Sequence, residues 1–124
     1  MQGKDGAQPP VVTVAPSTTV RQALRLMSLH DVSQLPVMDR ERCVGSVTDW
    51  SLSARSLADG KVLDATVSDV MDAPFPTVDA NRPADSVVKL LSKTSPAVLV
   101  TTPGGTAVLG IVTRSDLLHF LMAR

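Results

Sequence analysis

Two short stretches of the chain decide its fold: Gly110-Ile111-Val112-Thr113-Arg114-Ser115-Asp116 and Gly45-Ser46-Val47-Thr48-Asp49-Trp50-Ser51. In each stretch a glycine and two further residues lead to a threonine, and a polar residue follows three positions after the threonine. A threonine with a carboxylate at that spacing is typical of a helix start, because both side chains bond free amides of the first turn. Each stretch therefore predicts a strand that runs directly into a helix.

The likeness extends outward from these stretches, because the chain contains an internal repeat with an offset of about 64 residues. Apolar residues with the spacing of one helix face occur twice: Val20, Ala23, Leu24 and Met27, and then Ala84, Val87, Val88 and Leu91. Thr19 and Gln22 fit a capping box at the start of the first helix, and Pro83 lies near the start of the second.

Valine-rich runs after each of these helices predict strand pairs at residues 34–38 and 43–47, and at 97–101 and 108–112. The second turn is expected to be one residue longer than the first. Closing helices are predicted at residues 49–57 and 114–122, so the element order is β-α-β-β-α twice. We expect a flexible leader at residues 1–10, a first unit at 11–58, a linker at 59–71 and a second unit at 72–124.

A single unit of this size cannot cover both faces of a three-stranded sheet. The sequence therefore predicts an α+β protein in which two pseudo-symmetric units pack through their small sheets into one disc.

Composition excludes several classes of function. Twelve Lys+Arg balance twelve Asp+Glu, so no basic excess favours a nucleic-acid partner. No apolar run approaches the roughly 20 residues of a membrane span, and residues 1–10 do not resemble a signal peptide. Cys43 is the only cysteine, which fits a reducing compartment, and we expect a cytoplasmic protein. His30 and His119 lie far apart without a cysteine cluster, so no metal site is predicted.

The repeated unit resembles the CBS domain, a β-α-β-β-α unit that occurs in tandem pairs called Bateman modules. The resemblance covers residues 11–121 and depends mainly on residues 110–116 and on Leu35-Pro36-Val37-Met38-Asp39. In the first copy Ser51 stands where the signature has an aspartate. Residues 57–62 and 75–79 are also similar to the regulatory C-terminal region of cystathionine β-synthase-like proteins. The catalytic domain of that enzyme has no counterpart here, and we expect no enzyme activity.

The resemblance implies an adenosine-containing ligand (AMP, ADP, ATP or S-adenosylmethionine) in a cleft between the units, as an effector rather than a bound cofactor. The Asp116 carboxylate would accept hydrogen bonds from the ribose hydroxyls. The other implied contacts are Thr113, Arg114 and Ser115 from the same helix start, and Thr18, Ala23, Val32 and Ser33 from the first unit. A weaker second site is implied at Thr48, Asp49, Ser51 and Ala97.

Two alternatives to ligand sensing stay open. Thr113 and Asp116 also fit a purely structural helix cap, and the chain could be a ligand-free dimerisation module. It could also be a regulatory fragment of a cystathionine β-synthase-like enzyme. A homodimer is expected from apolar residues of the closing helices that we expect to be exposed: Leu52, Leu57, Leu117, Leu118, Leu121 and Met122. The regulated partner would be an enzyme or a transporter.

Overall fold

The computed structural model describes residues 11–81, 84–93, 96–104 and 107–114, together with Asp116 and Met122. Helices and small sheets alternate in it, which confirms the predicted α+β class. The chain divides into two compact units, Val12–Pro76 and a second one that includes Thr77–Arg124. The predicted leader at residues 1–10 lies outside the described residues.

The first unit contains helix α1 (Val20–His30), strands β1 (Gln34–Asp39) and β2 (Arg42–Thr48), helix α2 (Asp49–Ala58), a 3₁₀ turn (Gly60–Asp64) and a short helix α3 (Val67–Val70). Strands β1 and β2 are antiparallel. A parallel bridge from Val14 to Val37 and an antiparallel bridge from Ser46 to Asp72 extend the sheet on its two sides.

Helix α1 begins with the predicted capping box, in which the Thr19 hydroxyl and the Gln22 side chain each accept a backbone amide proton. It ends at Asp31, which has the left-handed backbone conformation (φ 54°). One face of the helix is buried and packs into a core with the sheet and α2, through Val20, Ala23, Met27, Leu35, Val37, Val47 and Leu52. The predicted helix face is therefore the face that holds this unit together.

Residues 59–72 pack against the first unit. The Val20 amide donates to Ala65 O (2.9 Å), and the Val67 amide donates to Thr18 O (2.7 Å). Val67 is fully buried in the core of this unit. At Gly45, an added Cβ would collide with the side chain of Met71, so the glycine permits a close approach of this segment.

The second unit contains strand β3 (Thr77–Asp79), helix α4 (Ala84–Lys93) and strands β4 (Ala97–Thr101) and β5 (Val108–Thr113). Strand β3 is parallel to β4, and β4 is antiparallel to β5. The core of this unit consists of Val78, Leu91 and Val98, with Val87, Leu90, Val100 and Val112 packed against it. The predicted closing helix at 114–122 falls largely outside the described residues.

The two hairpins share an irregularity in register, after Val37 in the first unit and after Val100 in the second. Val37 pairs with Gly45 and Val100 pairs with Gly110, so the second hairpin is longer by about two residues. The expectation of a single extra residue was wrong, because the connection from helix to strand is also one residue shorter in the second unit.

The expected exposure of Leu52 was also wrong, because its side chain is fully buried. Leu57 of the same helix is 89% exposed, and Met122 is 77% exposed. Leu117, Leu118 and Leu121 lie outside the described residues.

Candidate functional site

The strand-to-helix junction of the second unit carries a complete capping box. The Asp116 amide donates to Thr113 Oγ1 (3.1 Å), and the Thr113 amide donates to Asp116 Oδ2 (2.9 Å). These reciprocal bonds fix the threonine hydroxyl and the carboxylate beside each other at the first turn. Asp116 Oδ1 makes no hydrogen bond to any described residue, and the residue is exposed.

The equivalent junction of the first unit carries only half of this arrangement. The Ser51 amide donates to Thr48 Oγ1 (3.1 Å), as the repeat predicts. Ser51 has no carboxylate to return a bond to the threonine amide. The neighbouring Asp49 carboxylate accepts from the Trp50 amide (2.6 Å), so it is engaged beside its own backbone.

The segment that enters the first strand of each hairpin lies beside these helix starts. The Asp49 amide donates to Ser33 O (2.9 Å), and the Arg114 amide donates to Pro96 O (3.2 Å) at the equivalent place in the second unit. The structure thus brings Ser33 together with Thr48 and Asp49. It also pairs Ala97 with Thr113 in the sheet register. In each unit, a residue of the main predicted site therefore lies next to a residue of the weaker predicted site.

Val32 and Ser33 offer main-chain groups that can read a flat ring. The Val32 amide donates to Met27 O (3.0 Å), and Ser33 O accepts from Asp49, but Val32 O and the Ser33 amide make no hydrogen bond to a described residue. The Ser33 hydroxyl donates to Gln34 Oε1 (3.0 Å). An acceptor and a donor on consecutive residues match the pattern of a nucleobase edge.

The remaining predicted contacts are more enclosed. Thr18 is half-buried, and its hydroxyl accepts from the Ala15 amide (3.0 Å). Ala23 and Ala97 have no exposed surface and contribute to the cores of their units. The Arg114 side chain is exposed, but its Nε donates to Leu91 O at 3.4 Å. Ser115 lies outside the described residues.

Two further features lie near these elements. Arg21 of α1 pairs with Asp64 of the 3₁₀ turn (3.3 Å), a contact between residues far apart in the chain. Burial raises the pKa of the Cys43 thiol, while hydrogen bonding with backbone groups of Gly45, Phe75 and Val37 partly opposes that rise in pKa. A neutral, half-buried thiol is a poor nucleophile.

Chemically, the second junction presents an anion, a hydroxyl and the amides of a helix start within one turn. Ionised acceptors form stronger hydrogen bonds than neutral ones, and a carboxylate has about four acceptor positions. Asp116 therefore has the capacity to cap its helix and to accept a ligand hydroxyl at the same time. Ser51 has no such charge.

The described ranges lack two kinds of feature. No helix in them is long and apolar enough to cross a bilayer. They also contain no group of three His, Cys, Asp or Glu side chains placed to hold a metal ion.

Comparison with protein families gives a match to the model described as "CBS domain" at residues 7–57 and again at residues 67–123. Two curated relatives are similar to this chain over only part of their own length. YhcV of Bacillus subtilis, a CBS domain-containing protein, is 29% identical over 90 residues, which are 73% of this chain and 64% of YhcV. An L-aspartate semialdehyde sulfurtransferase of Methanocaldococcus jannaschii is 27% identical over 115 residues, which are 92% of this chain and 22% of that protein.

Among solved structures, the chain is similar to the CBS domain pair of protein MJ0100 in complex with 5-methylthioadenosine and S-adenosyl-L-methionine. The TM-score is 0.78 and the identity 26%, with 94% of this chain and 91% of that chain covered.

Proposed function

The chain belongs to the CBS domain family and carries the domain twice, and on this premise we propose that it is a regulatory module that binds an adenosine-containing ligand at the helix start of its second unit. The observation that carries the proposal is the Asp116 carboxylate, which is fixed by its capping box while Oδ1 faces no protein partner among the described residues. We infer that this oxygen accepts hydrogen bonds from the ribose hydroxyls.

The ligand class is supported by the relative of known structure. The MJ0100 pair is in complex with 5-methylthioadenosine and S-adenosyl-L-methionine, which share an adenosine moiety. AMP, ADP, ATP and S-adenosylmethionine are therefore the ligands that we propose for this chain. Such a ligand would be an effector that binds without covalent attachment.

Each proposed contact has a distinct role. Asp116 selects the ribose, and the helix start with Thr113 favours an anionic or polar substituent through its amides and its dipole. Arg114 adds a positive charge at the same turn. In the first unit, Val32 O and the Ser33 amide supply the acceptor and the donor for the adenine edge, and Thr18 supplies a hydroxyl. Thr48, Asp49, Ser51 and Ala97 form the weaker second set, which lacks the fixed carboxylate.

Regulation would follow from a population shift. A ligand that binds one conformation of the module better than another stabilises that conformation by its difference in affinity. The protein whose activity responds would be an enzyme or a transporter, and the module itself would carry out no reaction.

The test uses Asp116→Asn, which keeps an oxygen for the Thr113 amide but removes the negative charge. Calorimetry with AMP, ADP, ATP and S-adenosylmethionine should identify one ligand that binds the native chain. The variant should bind it about tenfold more weakly or worse, since hydrogen bonds to charged groups contribute about 1.5–3 kcal/mol each. Its melting temperature without ligand should change little.

Ser51→Ala is the matched control, because it alters the equivalent position of the first unit. It should leave the affinity within about twofold, since no charge is lost. An equal loss of affinity in both variants would contradict the assignment of the ribose to Asp116. Unchanged affinity in Asp116→Asn would leave the carboxylate with a capping role only.

A second function, structural dimerisation without ligand, is favoured by one observation. Trp50 is 80% exposed and Leu57 is 89% exposed, and their seven-residue spacing places them on one face of α2. We propose that this face forms the homodimer contact. Light scattering should then show a dimer for the native chain and a monomer for the double variant Trp50→Ser with Leu57→Ser. No thermal shift with any adenosine ligand would make dimerisation the only function.

A further inference from the structure

One edge of β2 in the first unit is bonded to residues 71–74, the covering segment. The Ser46 amide donates to Asp72 O (3.0 Å), the Asp72 amide donates to Ser46 O (2.8 Å), and the Ser46 hydroxyl donates to Ala73 O (2.7 Å). Ser46 is buried, whereas Asp72, Ala73 and Pro74 are exposed. The covering segment therefore lies at the surface and is bonded to the sheet through one buried residue.

A thioether sulfur packs the first residue of this segment against the strand. Met71 Sδ lies over Gly45, where an added Cβ would collide with it. The methionine side chain packs against the core of the first unit but keeps part of its surface exposed. Because protein interiors are close-packed, a larger or more polar group at this sulfur would disturb the contact with the strand.

A partly exposed thioether can be oxidised by hydrogen peroxide. A sulfur lone pair attacks one peroxide oxygen, the O–O bond breaks, and a sulfoxide and one water molecule form. The sulfur loses two electrons and the peroxide gains them. The sulfoxide is polar, so it no longer suits an apolar contact. We propose that Met71 is a reversible oxidation site whose sulfoxide releases the covering segment from β2.

The other methionines that the structure describes differ from Met71 in burial or in support. Met27 is 3% exposed, so the core shields it from peroxide. Met122 is 77% exposed, so its oxidation would change little packing. Met38 belongs to a strand that is paired on both sides, with Cys43 and with Val14, so its main chain is held without help from the side chain.

The Cys43 thiol lies near the same glycine but is the less reactive sulfur. Its Sγ donates to Gly45 O (3.3 Å), and its side chain is half-buried. Burial raises the pKa of the Cys43 thiol, and the thiolate is the form that reacts with peroxide. A thioether has no proton to lose, so the reaction of Met71 does not require deprotonation.

The position of the covering segment gives the oxidation a regulatory consequence. The segment ends directly before Phe75 and Pro76, and the first strand of the second unit starts at Thr77. Oxidation would convert a stretch of bonded main chain between the two units into free chain. Methionine sulfoxide reductases reverse the reaction, so the state of the segment would follow the supply of peroxide and reductant. This input is independent of an adenosine-containing ligand.

Amide hydrogen exchange by NMR on the full chain, before and after treatment with dilute hydrogen peroxide, tests the proposal. Peptide mass spectrometry should show one added oxygen at Met71. The Ser46 and Asp72 amides should then exchange about tenfold faster or more, because a polar group in the contact favours local opening. The Val20 amide, which donates to Ala65 O outside the covering segment, is the internal reference. Methionine sulfoxide reductase with dithiothreitol should restore the native mass and the native exchange rates.

Four variants separate the sulfur atoms. Met71→Leu keeps an apolar side chain without sulfur, so exchange at Ser46 and Asp72 should not respond to peroxide. Met71→Gln places a polar side chain of similar length over Gly45 and should speed this exchange without peroxide. Met122→Leu and Cys43→Ala should respond to peroxide as the native chain does.

Several results would overturn the proposal. Met71 could stay unoxidised in the folded chain while Met122 is fully oxidised, or its oxidation could leave the Ser46 and Asp72 amides unchanged. An equal response of Met71→Leu and the native chain would exclude this methionine, and loss of the response in Cys43→Ala would assign the site to the thiol. Exchange that stays fast after the native mass has returned would exclude a reversible switch.

Discussion

Replacing Gly45 by alanine tests the close packing of the segment after α3 against β2. An added Cβ would contact Met71 Sδ, lie 2.8 Å from Met71 Cγ and lie 3.0 Å from the Asp72 carbonyl oxygen. The methionine side chain can rotate away from such a methyl group. The carbonyl oxygen cannot do so without lengthening its hydrogen bond from the Ser46 amide, which is 3.0 Å long. The substitution therefore weakens main-chain pairing as well as packing.

The expected magnitude is the difference of two effects. Overpacking of this kind costs about 1–3 kcal/mol. Replacing a glycine by alanine also restricts the unfolded chain, which stabilises the fold by about 0.4–1 kcal/mol where the backbone is compatible. Gly45 has no positive φ, so that gain applies. The free energy of unfolding should fall by about 1–2 kcal/mol, which corresponds to roughly 4–8 °C in melting temperature for a chain of this size.

Gly110→Ala is the matched control, because Gly110 occupies the same register position and has no described atom within 4 Å of the added Cβ. It should leave stability unchanged or raise it by up to about 1 kcal/mol. Urea unfolding of both variants measures the two values. Adding Met71→Ala to Gly45→Ala should recover part of the loss, which a double-mutant cycle would report as coupling. Equal effects of the two glycine substitutions would refute the close approach at Gly45.

Four further predictions concern single side chains. Leu52→Ala should lower the free energy of unfolding by about 2–5 kcal/mol, because it leaves a cavity in the core. Leu57→Ala should change it by less than about 0.5 kcal/mol, and thermal melts of the two variants measure the difference. Cys43 should be alkylated by iodoacetamide more slowly than glutathione at pH 8, because burial raises the pKa of the Cys43 thiol. Because the pKa of Cys43 is raised in the folded chain, the folded chain keeps a proton that the unfolded chain loses above the ordinary thiol pKa. The free energy of unfolding should therefore decline as the pH rises above the ordinary thiol pKa. Cys43→Ala should flatten this decline. Thr113→Val should lower the free energy of unfolding by about 0.5–2 kcal/mol through loss of the capping bond to the Asp116 amide, measurable by urea titration.

The elements were predictable where a periodic apolar pattern met a recognisable start signal. Helix α1 satisfies both conditions, since its buried face and its Thr19 capping box are local features of the sequence. The strands likewise follow from their valine-rich composition and the turns between them. The lengths of the hairpins were less accessible, because the shared irregularity after Val37 and Val100 depends on pairing across the sheet.

The orientation of α2 illustrates why burial could not be predicted from composition alone. Leu52 lies about 200° around the helix from Trp50, and Leu57 lies nearly in line with Trp50. The helix therefore has apolar side chains on opposite faces, and the sequence does not say which face the sheet will cover. The structure buries Leu52 and exposes Trp50 and Leu57.

For the candidate site, the Thr113 and Asp116 pair could be predicted because its spacing is local. The proximity of Ser33 to Asp49 could not, because it depends on how the connection after α1 meets the start of α2. The closure of Gly45 by Met71 was inaccessible for the same reason, since it joins two segments that are not adjacent in the chain.

In the first unit, helix capping and ligand contact do not depend on the same side chain at position 51. Thr48 still holds the first turn through the Ser51 amide, although no carboxylate is present. Position 51 can therefore accept small residues without unfolding its helix, whereas replacing Asp116 by a residue without a side-chain acceptor removes a bond from the Thr113 amide. In a duplicated unit, this arrangement lets one copy lose or acquire chemistry by single substitutions while its scaffold stays intact. Substitutions that redesign the ligand preference should therefore cost the least stability at the helix start of the first unit.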